Sequence, residues 1–430
     1  MTAPFTTTAP CRDAPEHDAF GQCPDPVAAA REHIESTALS ATPLPEAHRG
    51  TVGLELEFHL VDLADPGARP SWEQLERLIS ALPPMPSGSS VTTEPGGQLE
   101  LSTPPTPGVA ASIEALRADR AVLRASLAEQ GFGAAPLGAD PARPPRRINP
   151  SPRYAAMQTH FDAVGCLEPG TAMMTATAAL QVNLDAGPND GWTDRLRLIR
   201  SLGPVLVAVS ASSPFLGGSC SGWASMRQQA WHGIDHSRSD PVPGSIPTTA
   251  WADYALNAPV MLVRDGDVST PLIQRVPFRA WLEGAAPIDR APTIADLDYH
   301  LTTLFPPIRP RGYVEIRCLD AAPDRWWPAL AAFTTTLVDH PAAADLAREL
   351  VDPVRERWTT AARDGLADPA IAAAARGCVD AAVTHCDPDV RPELERLAEL
   401  VSSGRTPGDE LRERALATSP LTMLEEQARA

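Results

Sequence analysis

Four short stretches of the chain alternate strictly between apolar and polar residues, and each predicts a β-strand with one buried face. The first is Gly53-Leu54-Glu55-Leu56-Glu57-Phe58-His59-Leu60. Leu54, Leu56, Phe58 and Leu60 point one way, and Glu55, Glu57 and His59 the other. The second lies within residues 93–102. After the turn signal Pro95-Gly96, Gln98, Glu100 and Ser102 share a face opposite Leu99 and Leu101. In the third, 179–185, Gln181, Asn183 and Asp185 alternate with Leu180, Val182 and Leu184. In the fourth, 312–319, Tyr313, Glu315 and Arg317 share a face, and Cys318 points away from Glu315 as a small apolar residue.

Helical periodicity fills the intervals. It predicts helices over 26–40 (Val27, Ala30, Ile34 and Ala38 on one side), 72–82, 109–130 with Gly131 as C-cap, 192–209, 226–232 and 251–256. A further helix over 293–304 opens with Thr293 as N-cap and Asp296 at the third following position. A strand over 260–263 runs into a turn at Asp265-Gly266-Asp267, and the Pro/Arg-rich loop 143–153 is expected outside the core. From Pro328 onward the chain reads as several Ala/Leu/Arg-rich helices. No repeat or linker divides it. The expected organisation is a disordered tail over 1–22 and a single catalytic domain over 23–430, with core motifs in 50–330 and a helical part in 331–430.

A half-buried strand with a wet face explains alternation by itself. The residue types argue for more. Glu is depleted in strands, and Glu55 and Glu57 on one face sit about 7 Å apart at a rise of about 3.3 Å per residue. At an effective dielectric near 20 they repel by about 2.4 kcal/mol. A bound divalent cation is the simplest compensation.

Composition narrows the partners. The 430 residues carry 36 basic and 54 acidic side chains, a net charge of −18, which argues against nucleic acid and against a basic membrane-binding face. The seven cysteines are scattered, with no zinc or redox spacing, as expected in a reducing cytoplasm. The N-terminus shows no signal-peptide pattern, and no apolar run is long enough to span a bilayer.

Placed in one antiparallel sheet, the four strands would present Glu55, Glu57, Glu94 or Glu100, Gln98, Gln181, Asn183, Glu315 and Arg317 to one cavity, with helices on the opposite face. Carboxylates and amides bind hard cations such as Mg²⁺, Mg²⁺ binds phosphates, and arginine neutralises what remains. This is a phosphoryl-transfer arrangement without a Walker loop, and the chain has no G-x-x-x-x-G-K-[ST]. Several of these residues also have ordinary readings. His59 suits a strand end satisfied by backbone, Asn183 and Asp185 a closing turn, and Arg227 a surface charge. Trp231 and Tyr254 are types that more often fill a core than touch substrate.

The motifs Gly53-Leu54-Glu55-Leu56-Glu57-Phe58, Glu94-Pro95-Gly96-Gly97-Gln98-Leu99-Glu100, Met173-Met174 with Gln181-Val182-Asn183-Leu184-Asp185, and Arg227 with Trp231 and Arg238 follow in order. Asp253-Tyr254-Ala255-Leu256, His300 to Pro306, Tyr313-Val314-Glu315-Ile316-Arg317 and Asp320-Ala321-Ala322-Pro323 come after them. Over roughly residues 50–330 the chain resembles glutamate–cysteine ligases of the plant and actinobacterial type, most of all those that supply ergothioneine biosynthesis. The resemblance implies an α+β fold with a glutamine-synthetase-like antiparallel catalytic sheet. It implies ATP and Mg²⁺ as cofactors, and L-glutamate and L-cysteine as substrates joined through γ-glutamyl phosphate. It implies Glu55, Glu57, Glu94, Glu100, Glu315 and Gln181 as metal ligands, and Arg317 with Glu315 as catalytic residues. Arg227, Arg238, Trp231, Tyr254, Gln98 and Asn183 are the implied contacts to substrate or phosphate. Plant members tend to carry an Arg between the Met pair and the Gln-Val-Asn strand. None stands there in this chain, so glutamate recognition falls to other arginines. A carboxylate–amine ligase using another amine, and a non-catalytic nucleotide-binding protein on the same fold, are the competing readings.

Overall fold

A computed structural model describes residues 20–38, 50–185, 192–244, 247–266 and 268–430. Its strands are β1 (Thr51–Asp62), β2 (Ser90–Thr93), β3 (Leu99–Ser102), β4 (Thr106–Pro107), β5 (Phe132–Ala135), β6 (Ala179–Asp185), β7 (Leu262–Asp265), β8 (Val268–Pro271), β9 (Ile308–Pro310) and β10 (Tyr313–Asp320). Eight of them form one antiparallel sheet in the order β2-β3-β1-β6-β10-β9, with β4 and β5 also paired to β1. β7 and β8 make a separate hairpin.

The period-two pattern dictates which face is buried. Leu54, Leu56, Phe58, Leu99, Leu101, Leu180, Val182, Leu184, Val314 and Ile316 are all fully enclosed. They pack beneath the helices Gly108–Ala128, Trp192–Ser210 and Trp327–Asp339. Each such side chain contributes about 1.5–3 kcal/mol of burial, so a one-residue slip of register would expose a whole row. The other face meets the helices Pro152–Ala163, Leu167–Ala176 and Met226–His232, which share a smaller apolar cluster around Met157, Phe161, Met173 and Met174. The α+β expectation holds: one face of an antiparallel sheet lies on helices, and the chain from Trp327 to its end is helical.

Details differ. β2 and β3 are two short strands of a hairpin where the sequence suggested one segment, because Glu94 to Gln98 form the connecting turn: Glu94 N–H donates to the Gln98 carbonyl at 2.9 Å. Gly97 takes φ +83°, and a Cβ on Gly96 would lie 2.2 Å from the Thr175 carbonyl oxygen, so both positions demand glycine. The loop after β5 is more buried than its composition suggests. Asp140 and Arg143 pair at 2.8 Å, and Arg69 joins Asp140 at 3.0 Å. Phe20, placed by the sequence reading in the disordered tail, is buried in a short turn over Phe20–Gln22. The remainder of that tail, residues 1–19, lies outside the described residues, as does Asp267 of the expected turn. Among the described residues no helix is long and apolar enough to cross a membrane.

Candidate active site

The polar sheet face and the helices above it enclose a cavity of about 660 Å³. Register places its groups. Across β1–β3, Glu57 faces Glu100; across β1–β6, Glu55 faces Gln181; across β6–β10, Asn183 faces Glu315. Glu94 reaches the cavity from the β2–β3 turn. A bulge between Ile316 and Leu319 ends the regular alternation of β10 just beyond Glu315.

The carboxylates divide into two groups. Burial raises the proton affinity of Glu55 well above the usual range, and the neighbouring Glu100 and Glu315 add to it. Burial likewise raises Glu57. Burial and the charge of Glu57 push Glu94 up to about 7; burial and the charge of Glu94 push Glu100 up to about 7. Glu315 goes the other way. Burial works to raise it, but Arg309 and Arg317 outweigh that and hold it well below the carboxylate range. Arg309 forks onto it at 2.6 and 3.1 Å, Arg317 approaches at 3.2 Å and Arg311 at 3.5 Å.

The amides link these groups. Asn183 donates to Glu55 at 2.9 Å, and its own side-chain oxygen is buried without a partner. Gln181 accepts from Arg317 at 2.8 Å and stands 3.4 Å from Glu57, which also accepts from the Ala179 N–H at 2.8 Å. The Asn183 oxygen and the four carboxylates of raised proton affinity line one cavity and offer only oxygen donors. Such a set suits a hard cation such as Mg²⁺.

Of the residues singled out in the sequence, Glu55, Glu57, Glu94, Glu100, Glu315, Gln181, Asn183, Gln98, Arg227, Trp231 and Arg317 all line this cavity. Gln98 is committed to structure: it donates to the Thr177 carbonyl at 2.9 Å and accepts from Gly96 N–H at 3.0 Å. Arg227 donates to the Arg317 carbonyl at 2.8 Å, leaving its Nε buried and unpartnered, as is the Trp231 indole N–H. Asp185 also lines the cavity.

Two expectations fail. Arg238 is fully buried away from the cavity, and it donates to Asp235 at 3.4 Å, the Thr303 carbonyl at 3.0 Å and the Pro259 carbonyl at 2.6 Å. Its guanidinium is consumed by the scaffold. Tyr254 does not line the cavity either: it is buried and stacked on Trp251 with ring centroids 5.8 Å apart. His59 takes its ordinary reading: it is buried against the Leu137 carbonyl at 3.0 Å, and burial lowers its pKa to about 4. Sequence reasoning missed Arg309, Arg311, Arg153 and Tyr154, which also line the cavity. For Arg309 a signal existed. Gly312 marks a turn (φ +76°), and folding back across it sets Arg309 opposite Glu315.

The family model described as glutamate–cysteine ligase family 2 matches residues 51–429. The glutamate–cysteine ligase EgtA of Mycolicibacterium smegmatis is 48% identical over 404 residues, covering 93% of this chain and 94% of the relative. EgtA of Mycobacterium tuberculosis is 48% identical over 395 residues, 90% of each chain. The chloroplastic glutamate–cysteine ligase of Brassica juncea is more distant, 32% identical over 64% of this chain and 54% of its own. Among solved structures, the Francisella tularensis glutamate–cysteine ligase in complex with AMP shares the fold at a TM-score of 0.58 and 12% identity, covering 88% of this chain and 87% of that one. By the extent of the family match and the near full-length relatives, the chain belongs to glutamate–cysteine ligase family 2.

Proposed function

We propose that the chain joins the γ-carboxylate of L-glutamate to the amine of L-cysteine at the expense of ATP, through γ-glutamyl phosphate, and that the γ-glutamylcysteine feeds ergothioneine biosynthesis. The observation that carries the reading is one cavity holding four carboxylates of raised proton affinity beside an arginine-flanked fifth. Glu55, Glu57, Glu94 and Glu100, with Glu315, Gln181 and the Asn183 oxygen, would hold Mg²⁺, which when bound screens the charge of the phosphate oxygens. Arg317, poised between Gln181 and Glu315, positions charge on the group being transferred. Arg309 fixes Glu315. Arg227 and Trp231 line the cavity, each with a buried N–H that has no partner, and are the contacts we assign to a substrate carboxylate or phosphate.

The order of bonds is simple. The γ-carboxylate oxygen takes the phosphoryl group from ATP, releasing ADP. The cysteine amine then forms the C–N bond as the C–O bond to phosphate breaks. No protein nucleophile is required, and Cys318, the cysteine next to Arg317, lies in the apolar core with its thiol pushed up to about 12 by burial. We place the enzyme in the cytoplasm, a setting consistent with the free thiols of all the described cysteines.

The deciding experiment is ADP release with Mg·ATP and L-glutamate, with and without L-cysteine, and mass spectrometry for the dipeptide. Cysteine-dependent release with γ-glutamylcysteine formed is the expected result. Release stimulated only by another amine would move the substrate to a different carboxylate–amine ligation. Nucleotide binding without turnover would overturn the reading.

A further inference from the structure

Outside the cavity, three ligating side chains converge at the surface. His232 ends the helix Met226–His232, His236 opens the short helix His236–Ser239, and Asp240 is the C-cap of that helix. One ligating atom from each lies within 4.8 Å of the others. The imidazoles meet edge to face with centroids 4.8 Å apart, and His236 Nδ1 is 2.9 Å from Asp240 Oδ1. His236 and Asp240 alone would be an ordinary i,i+4 surface pair, worth about 0.3–0.5 kcal/mol. That does not account for His232, which has no hydrogen-bond partner among the described residues and rests against Trp223 at 6.2 Å. Nor does it account for Tyr254. Its hydroxyl is buried without a partner, and its ring lines the same open surface cavity, of about 650 Å³, as His236 and Asp240.

We propose that His232, His236 and Asp240 form a second cation site, for a first-row transition metal ion of the Zn²⁺ class. Two imidazoles and one carboxylate are the ligand set of three-ligand zinc sites that keep an open position. Mg²⁺, which demands oxygen, is poorly served there. Tetrahedral ligands about 2.0–2.1 Å from a metal stand about 3.3 Å apart, so closing the cluster takes only small rotations of exposed side chains. The open position would face the cavity that holds Tyr254. The site also stands at the end of the helix that carries Arg227 and Trp231, and the next helix is tied to Phe305 of the catalytic cavity through the Arg238 carbonyl at 2.7 Å. A bound ion would fasten the cavity-bordering helix Met226–His232 to the helix that follows it.

The test uses the full chain without a histidine tag, stripped with EDTA and then held in excess Mg²⁺ so that the acidic site does not compete. A Cys220→Ser background removes the exposed thiol among the described residues. Zn²⁺ is titrated against a chromophoric chelator, and Co²⁺ is followed by its visible absorption. One saturable equivalent is expected, weakened at least about tenfold in His232→Ala and in Asp240→Asn with unchanged far-ultraviolet circular dichroism. Affinity should be retained in His385→Ala, whose ring stacks on His340 at 4.7 Å without a ligating carboxylate. Absence of saturable Zn²⁺ binding in excess Mg²⁺, or undiminished binding in His232→Ala, would overturn the proposal.

Discussion

Glu55 and Glu315 line the same cavity from strands separated only by β6, yet their proton affinities move in opposite directions. Around Glu315 the β9–β10 hairpin brings Arg309, Arg311 and Arg317, so its charge is neutralised by the fold itself. Around Glu55 the β1–β3 pair brings Glu100, and no arginine forks onto it. One end of the site is complete when the chain folds. The other gathers like charges that the fold itself does not neutralise. Residue type and strand face do not separate these roles; the neighbours across the ladder do.

The largest expected effect tests that division directly. Glu55→Gln and Glu315→Gln should each lower turnover at least about 10²-fold, because both ends serve the reaction. Their stabilities should part. In Glu315→Gln, Arg309 and Arg317 stay buried without their counter-charge, at a cost of about 3–5 kcal/mol. In metal-free Glu55→Gln a repelled charge is removed, so stability should hold or rise. Steady-state kinetics with urea unfolding in EDTA would check both. Equal destabilisation of the two variants would erase the contrast, and near-normal turnover in either would remove that residue from the site.

Arg238 and Arg227 sharpen the same point on the cationic side. Sequence gives them equal standing, since they flank Trp231 within one motif. Arg238→Met should cost about 3 kcal/mol or more by leaving Asp235 with less compensation in the interior, with the KM of the remaining folded enzyme unchanged. Arg227→Lys should instead raise KM and leave the melt nearly unmoved. A raised KM in Arg238→Met at full folding would return that arginine to the substrate.

Strand faces were legible because period two is imposed by the pleat. Glu55, Glu57, Glu100, Gln181, Asn183 and Glu315 could be assigned to one face without knowing which strands are neighbours. Glu94 stood only as an alternative to Glu100 until the resemblance added it, because it sits in a turn. Arg309 was not read, because Pro310 and a three-residue strand hide the hairpin from any periodicity. Arg238 and Tyr254 were misplaced for a related reason. A helix places a residue on a face, but which face meets a cavity depends on packing against Thr303, Pro259 and Trp251, which periodicity does not show. The burial of the loop after β5 was likewise invisible, since it rests on Asp140, Arg143 and Arg69 finding one another.

A smaller effect follows from the raised acids. Folding increases their proton affinity, so their protonated forms favour the native state and their ionised forms oppose it. The contribution is fully present below the ordinary value of 4.5 and is lost as pH climbs through about 7 for Glu94 and Glu100. The buried histidines act oppositely, but His59 and His160, lowered by burial to about 4, and His300, to about 3, exert their effect below the ordinary 6.5. Between pH 6.5 and 8 the acids therefore dominate. The Tm of EDTA-treated protein should fall across that window, and saturating Mg²⁺ should restore it by an amount that grows with pH. A Mg²⁺ shift that is independent of pH would mean the cation does not replace those protons.

The smallest effect is expected on the opposite face of the same strand. Cys318 lies between Arg317 and Leu319, 2% exposed, with its side chain among the core residues under β10. Burial keeps its thiol protonated at neutral pH. What the site takes from this residue is its backbone carbonyl, which accepts from Gln228 Nε2 at 2.8 Å and survives any side-chain change. Cys318→Ala should then cost about 1 kcal/mol for the sulfur-sized void and leave kcat within about twofold. Loss of turnover in a folded Cys318→Ala protein would place chemistry on the apolar face, and the separation of a packing face from a cavity-lining face would no longer describe this sheet.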